Sequence, residues 1–179
     1  MTAWIEPGAE FAELLRSFRT EAWRWETQGT YRQPAEEEPW RRWRAGEPDS
    51  LDWLRPWLDD VRAATQSGRR FARVRVFQQP PTEYQRWQLD VTPANISAGE
   101  DMRVLTASQA VDLALPAHDF WLLDDTRVAR MHFHDQQFVG AELIDDPDEV
   151  DLYREWKRTA WDHAVPFADY MHDATQRSR

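Results

Sequence analysis

The stretch HDFWLLDDTRVARMHFHD, residues 118–135, decides the fold because it predicts two neighbouring strands joined by a tight turn. Apolar and β-branched residues fill 119–123 and 127–134, and the Asp-Asp-Thr between them is typical turn composition. A second Asp-led turn follows, and FVGAELI at 138–144 has the pattern of a third strand. We therefore expect a three-strand meander over 119–144.

Outward from this meander, the hydrophobic pattern predicts helices that alternate with strands. Helices are expected at 9–19, 35–45, 52–68, 82–89, 92–99, 108–113 and 147–164. Further strands are expected at 22–28, 70–77 and 102–105. The order predicts an α/β or α+β fold in which helices flank a mixed sheet and a C-terminal helix closes the structure.

A chain of 179 residues is long enough for a single domain with its own core. Residues 1–50 are expected to form an N-terminal arm of helix and strand packed on the body. Residues 51–171 would be the α/β core, and residues 172–179 a frayed tail.

Composition excludes several classes of site. Eleven Trp, eight Phe and four Tyr predict a core built largely from rings, and the lack of Cys excludes disulfides and thiolate metal sites. A net charge of −10 disfavours direct binding to nucleic acid.

No apolar run approaches the roughly 20 residues of a membrane span, and no leader is apparent, so we expect a cytoplasmic protein. No nucleotide-binding glycine loop is present, and no cofactor is expected.

His118 and Asp125 have the spacing of a phosphodiester-cleaving motif, with Phe120 between them. The spacing resembles the phospholipase D-like superfamily, whose motif is His, any residue, Lys, four residues, Asp. The resemblance implies a His that attacks phosphorus, a Lys that holds the phosphoryl oxygens and an Asp that supports the His. Phe120 replaces that cation, and the only lysine, Lys157, has no His two residues before it. We expect no phosphodiesterase activity, while an enzyme of unknown class that uses His118 and Asp125 stays an alternative.

Three segments near the motif resemble catalytically inactive, phospholipase D-like C-terminal domains of bacterial regulators. These segments are RVRVF, AGEDMRVL and FWLLDDTRVARMHF. The resemblance implies a phospholipase D-like sandwich that contains the meander at 119–144.

A second resemblance covers nearly the whole chain. DWLRPWLDDVRAAT, VTPAN, LPAHDFWLLDD, GAELIDDP and AWDHAVPFADY together resemble an uncharacterised actinobacterial domain-of-unknown-function family. Its members are commonly encoded beside helix-turn-helix regulators. The resemblance implies a non-enzymatic accessory partner of such a transcriptional regulator.

A different hypothesis is a sensor of a small ligand or a nucleotide phosphate, in a degenerate phospholipase D-like pocket. Arg73 and Arg75 alternate along one strand face and form the best anion patch, with His118 as a further candidate. The alternative is that these arginines lie on the surface and pair with the abundant carboxylates.

Two other groups of residues are candidates for binding. His132 and His134 share a strand face and could bind a divalent cation with Glu142, although a solvated strand face explains them as well. The stretch PWRRWRAG supplies a candidate interaction surface. Its members are Trp40, Arg41, Arg42 and Trp43. The alternative is an amphipathic helix whose two Trp side chains pack on the body.

Overall fold

A computed structural model describes residues 3–177, with side chains described through residue 174. The strands are β1 (Ala3–Ile5), β2 (Glu21–Glu26), β3 (Arg70–Phe77), β4 (Asp101–Thr106), β5 (Phe120–Leu123), β6 (Arg127–His134), β7 (Gln137–Ile144) and β8 (Val165–Pro166). The helices are α1 (Ala9–Arg16), α2 (Pro34–Arg44), α3 (Arg55–Gln66), α4 (Glu83–Ala98), α5 (Ala107–Asp112), α6 (Pro147–His163) and α7 (Phe167–Arg177), with a 3-10 turn at Asp52–Leu54. The mixed sheet flanked by helices is confirmed.

Within the described chain, all eight strands form one sheet in the order β1-β7-β6-β5-β2-β3-β4-β8. Strands β2, β3 and β4 are parallel, and the remaining pairs are antiparallel. The predicted meander is confirmed as β5-β6-β7. The chain runs outward from β2 through β3 to β4 and then returns to the other side of β2 as β5. The strand order therefore reverses at β2, which pairs in parallel with β3 and antiparallel with β5.

Alternation along each strand divides the core into two layers. On one face, Trp23 and Trp25 pack with Val74, Phe120 and Tyr153, the last of these from α6. On the other face, Leu14 of α1, and Leu58 and Val61 of α3, pack on the sheet. The sheet contributes Phe71 and Trp121, and Phe18 follows α1. The β3 pattern predicted from sequence, with Ala72, Val74 and Val76 on one face, is confirmed.

Phe120 lies where the phospholipase D-like motif has its lysine, and its side chain is fully buried. Its ring centroid is 4.8 Å from that of Tyr153 and 5.6 Å from that of Trp23. The residue is therefore part of the aromatic core, which explains why an apolar ring occupies this position.

The separate helices predicted at 82–89 and 92–99 are wrong, because α4 is continuous from Glu83 to Ala98. Pro93 removes one backbone hydrogen bond of the helix. The Thr92 hydroxyl donates to the Gln88 carbonyl at 2.7 Å, and the buried side chains on α4 hold the helix together. The helix start at Thr82 and the stop at Gly99 are confirmed, the first by a capping box and the second by a left-handed φ of 115°, whereas an N-cap at Thr92 is wrong.

Three terminal features differ from the expectations. Strand β1 pairs with β7, and β8 pairs with β4, although neither edge strand was predicted. Helix α7 continues to Arg177, beyond the point where the sequence predicts fraying. Strand β2, from the N-terminal arm, lies near the centre of the sheet between β5 and β3.

Candidate ligand-binding pocket

A cavity of about 510 Å³ lies between the sheet and helices α1 to α4. Its floor is made by Arg24, Arg73, Arg75, Trp121 and Met131. Its walls and roof are made by Phe11, Leu15, Gln33, Ala35, Glu36, Trp53, Leu54, Pro56, Trp57, Gln88, Val91 and Asn95. This volume falls in the range of sites that enclose small organic molecules, about 300–1,000 Å³.

Strand register places the floor arginines together. Arg24 on β2 lies beside Arg73 on β3 and beside Trp121 on β5. Arg75 follows two residues after Arg73 and therefore shares its face. The guanidinium of Arg73 lies 5.7 Å from the Trp121 ring centroid and 5.9 Å from that of Trp57, within the range of cation–π attraction.

Buried carboxylates neutralise these three cations. Arg24 pairs with Asp119 at 2.7 Å. Arg73 contacts both Glu26, at 2.7 Å, and Glu100, at 2.8 Å. Arg75 lies 3.2 Å from a second oxygen of Glu26. The floor therefore holds three positive and three negative charges.

The pKa values of Glu26 and Arg73 keep these two groups charged near neutral pH. Burial opposes ionisation of Glu26, but the charges of Arg75, Arg73 and Arg24 outweigh burial and hold its pKa at about 2. Burial likewise opposes the charge of Arg73, while Glu100 and Glu26 outweigh it and raise the pKa of Arg73. These groups remain charged throughout the physiological range.

Two buried polar atoms of this network have no hydrogen-bond partner in the described chain: Arg75 Nε and Glu100 Oε2. Arg75 Nε is close to Glu26, but the pair does not have hydrogen-bond geometry. Buried donors are almost always satisfied in folded proteins. Arg75 Nε is itself fully buried beside Glu26, so it offers no free donor to the cavity, which Arg75 lines through other atoms.

Asp119, just before β5, supports the floor from one end. Its carboxylate accepts hydrogen bonds from Arg24 Nη2 at 2.7 Å, from Tyr31 Oη at 2.6 Å, and from both the backbone N and the hydroxyl of Thr27. The residue is 1% exposed. Asp119 thus fixes Arg24 and joins the loop after β2 to the start of β5.

Glu36 is a partly buried carboxylate in the first turn of α2, at the roof of the cavity. It accepts a hydrogen bond from Tyr84 Oη at 2.7 Å, and Tyr84 accepts one from Gln88 Nε2 at 3.0 Å. Burial raises the pKa of Glu36 to about 7. Glu36 therefore changes charge near neutral pH, unlike Glu26.

The structure brings Arg73 and Arg75 together but places His118 elsewhere. His118 lies on the opposite face of the sheet, with its Nε2 3.3 Å from Tyr153 Oη and its ring beside Trp156. Burial and the charge of Arg130 lower the pKa of His118. His118 does not line the arginine cavity.

The structure also separates His118 from Asp125. His118 precedes the four-residue strand β5, and Asp125 follows its far end. Asp125 pairs with Lys157 at 2.8 Å, and Lys157 also contacts Glu21. The neighbouring Asp124 accepts backbone hydrogen bonds from residues 19–21, as expected of a turn Asp.

His132 and His134 are not brought together with a set of metal ligands. A β-bulge interrupts the register between His132 and Phe133. His132 Nε2 lies 3.8 Å from Glu142, and the exposed His134 lies 3.5 Å from Asp135. Among the residues that the structure describes, no group of three or more His, Asp or Glu side chains is arranged to hold a metal.

The candidate interaction surface on α2 faces the body with its rings and solvent with its cations. Trp40 packs edge-on against Tyr84 at 5.4 Å, and Trp43 Nε1 donates to Asp90 at 2.7 Å. Arg41 pairs with Glu38 and Arg42 with Glu47. Its role in binding a partner stays a prediction.

Sequence reasoning missed Arg24, Glu26, Glu36 and Asp119 as members of the site. The alternation in AWRWE signals a strand with Arg24 and Glu26 on one face. Solvent is the usual neighbour of such a face, whereas here α3, α4 and α2 cover it. The identity of Asp119 alone carries no signal, because its partners are distant in sequence.

Three comparisons place the chain among known proteins. No curated protein matches it in sequence. Among solved structures, it is similar to TrmBL2, an archaeal chromatin protein whose structure shows a novel mode of DNA binding. The two share 11% identity with a TM-score of 0.51, over 93% of this chain and 55% of that one. This likeness concerns the fold alone, and the chain spans about half the length of TrmBL2.

Two further findings bear on the class of protein. No helix in the described part of the chain is both long and apolar enough to cross a bilayer. The expectation of an uncharacterised domain family is confirmed by a family model that matches residues 9–172. The chain belongs to the family of domains of unknown function DUF6879.

Proposed function

We propose that this domain is a regulatory module that binds a small organic ligand in the cavity above Arg73 and Arg75. The observation that carries the proposal is a cavity of about 510 Å³ whose floor holds the charge-paired Arg24, Arg73 and Arg75 and whose lining includes three Trp side chains. Ligand sites commonly combine an apolar wall with a few convergent polar groups.

The lining favours binding over catalysis. None of the residues that line the cavity is Ser, Thr, His, Lys or Cys, so the cavity offers no paired nucleophile and base. Glu26, which contacts two of the floor arginines, is held ionised by them. Glu36 is the one carboxylate with a pKa near neutrality, and its neighbour Tyr84 is a hydrogen-bond donor to it.

The regulatory part of the proposal is that the ligand controls docking onto a helix-turn-helix transcriptional regulator in the cytoplasm. Its supports are the family resemblance, the fold likeness to a DNA-binding chromatin protein and the net charge of −10. An acidic domain is complementary in charge to a basic DNA-binding protein. The proposal also includes the fold that the sequence resemblance implies, a degenerate phospholipase D-like sandwich that contains the meander.

A thermal-shift screen of small metabolites tests the ligand site. A ligand at a hundredfold its Kd adds about 2.7 kcal/mol, which raises Tm by roughly 5–10 °C in a domain of this size. Ala35→Trp, at an exposed roof position, should block the cavity and remove the shift. Ala63→Trp, at an exposed position of α3 outside the cavity, is the matched control and should keep it.

Two results would contradict the ligand site. One is a screen in which no compound shifts Tm; the other is a shift that Ala35→Trp leaves unchanged. Docking is tested separately, by mixing the domain with the regulator encoded beside it at micromolar concentration. Absence of a complex, with and without a stabilising compound, would refute the regulatory part.

A further inference from the structure

We infer that the cavity takes an uncharged heteroaromatic compound of nucleoside size, with its ring among the tryptophans and one polar edge toward Gln88 and Asn95 of α4. The inference rests on the proposed ligand site and specifies its chemistry. The arginines in the sequence suggest a phosphate ligand, but the structure favours an uncharged one.

Charge balance is the first argument. The arginines Arg24, Arg73 and Arg75 already have carboxylate partners in Asp119, Glu26 and Glu100. A phosphate dianion would have to displace one of these buried carboxylates, which would then be left unpaired. Glu36 adds negative charge to the roof as pH rises. A cationic ligand would meet the guanidinium groups instead, so an uncharged molecule fits best.

The apolar lining is the second argument. Trp53, Trp57 and Trp121 line the cavity together with Leu15 and Leu54. Trp53 and Trp57 are only partly buried, so ring surface remains in contact with the cavity. Aromatic rings of a ligand stack or pack edge-on against such side chains. A planar ring therefore gains contact area here.

The polar groups are the third argument, since they offer both donors and acceptors. Arg75 Nε is buried beside Glu26, so the groups free to bind a ligand come from α4. Gln88 uses its amide nitrogen on Tyr84, which leaves its carbonyl oxygen as an acceptor. Asn95 uses its oxygen to accept from Trp57 Nε1 at 3.0 Å, which leaves its amide nitrogen as a donor. Neighbouring donors and acceptors match the edge of a heterocycle that carries a carbonyl beside an N–H.

The distribution of these groups separates a heterocycle from a sugar. The polar lining comes from the floor, from α4 and from the start of α2. The α1 side and the start of α3 contribute Phe11, Leu15, Leu54, Pro56 and Trp57. A free sugar carries hydroxyls around its whole ring and must place some of them, without partners, against this apolar side, whereas a nucleoside can place its planar base there instead.

Calorimetric titration of the full chain tests the inference, with adenosine, guanosine, cytidine and uridine as probes. Each is compared with its 5′-monophosphate, and ribose serves as the sugar probe. We expect at least one nucleoside to bind, with its monophosphate at least tenfold weaker and no heat from ribose. Binding should be lost in Ala35→Trp and kept in Ala63→Trp.

Each other outcome overturns the inference. Equal or tighter binding of the monophosphate refutes the preference for an uncharged ligand, and binding of ribose alone refutes the heteroaromatic class. If no nucleoside binds, the ligand class is wrong. The ligand site itself then fails only if the metabolite screen also yields no compound whose shift depends on Ala35.

Discussion

Replacing Asp119 by Asn tests whether paired charges hold the arginine floor in place. Asn keeps the volume of the side chain but removes the charge opposite Arg24, 2.7 Å away. It also turns one acceptor oxygen into an NH2 group, which faces either the two donors of Thr27, at Oδ1, or Arg24 and Tyr31 Oη, at Oδ2. The substitution therefore leaves a buried cation unpaired and at least one donor unsatisfied.

The structure sets the expected magnitude. The side chains of Arg24 and Asp119 are 7% and 0% exposed, so solvent cannot compensate for the lost partner. Removing one partner of such a buried pair costs about 3–5 kcal/mol. Asp125→Asn is the matched control, because that carboxylate is 53% exposed and pairs with Lys157 at the surface. It should cost less than about 1 kcal/mol.

Urea unfolding at pH 7, followed by tryptophan fluorescence, measures both free energies of unfolding. The double variant Arg24→Met with Asp119→Asn should be more stable than Asp119→Asn alone, because it removes the unpaired charge. A loss below about 1 kcal/mol for Asp119→Asn, or purely additive losses in the double variant, would refute this account of the floor.

Three further substitutions test other parts of the structure. Burial raises the pKa of Glu36 from about 4.5 in the unfolded chain to about 7, so folding takes up a proton between these values. Wild-type stability relative to Glu36→Gln should therefore fall by up to about 3 kcal/mol from pH 4.5 to pH 8, and a pH-independent difference in urea unfolding would contradict this. Gly140 has a φ of 144°, and an added Cβ would overlap the Trp4 ring, so Gly140→Ala should lose about 1–3 kcal/mol. It should lose more than Gly8→Ala, where φ is also positive but the space is open, and an equal loss in urea unfolding would count against the contact. Phe120→Lys restores the motif lysine at a fully buried position, and should cost more than about 4 kcal/mol or abolish cooperative unfolding. Phe120→Leu should stay folded, and a Lys variant as stable as wild type would show that this position is not core.

The meander was predictable because its signals are local. Alternation along residues 127–134 and the Asp-rich turns on either side of this strand determine strand and hairpin without reference to distant residues. The buried Trp23 and Trp25 follow in the same way from the composition and period of AWRWE. Local propensity also predicts the start of α4 at Thr82, through its capping box.

The site was less predictable because its partners are distant in sequence. Arg75 and Glu26 are 49 residues apart, and Arg24 and Asp119 are 95 apart. A strand face with alternating Arg looks the same in sequence whether solvent or a helix covers it. The spacing of His118 and Asp125 does not predict a site, for a related reason. It fixes how far apart the two residues are in sequence, but it does not bring their side chains together in the fold.

The central claim is that a small molecule occupies the cavity lined by Trp53 and Trp57, on the sheet face opposite α6. Assigned indole N–H resonances in a ¹⁵N–¹H NMR titration with a stabilising compound test it most directly. The account predicts that the resonances of Trp53 and Trp57 move, while those of Trp156 and Trp161 beyond the sheet remain in place. Movement confined to Trp156 and Trp161, or no movement at Trp53 and Trp57 under saturating compound, would contradict the claim.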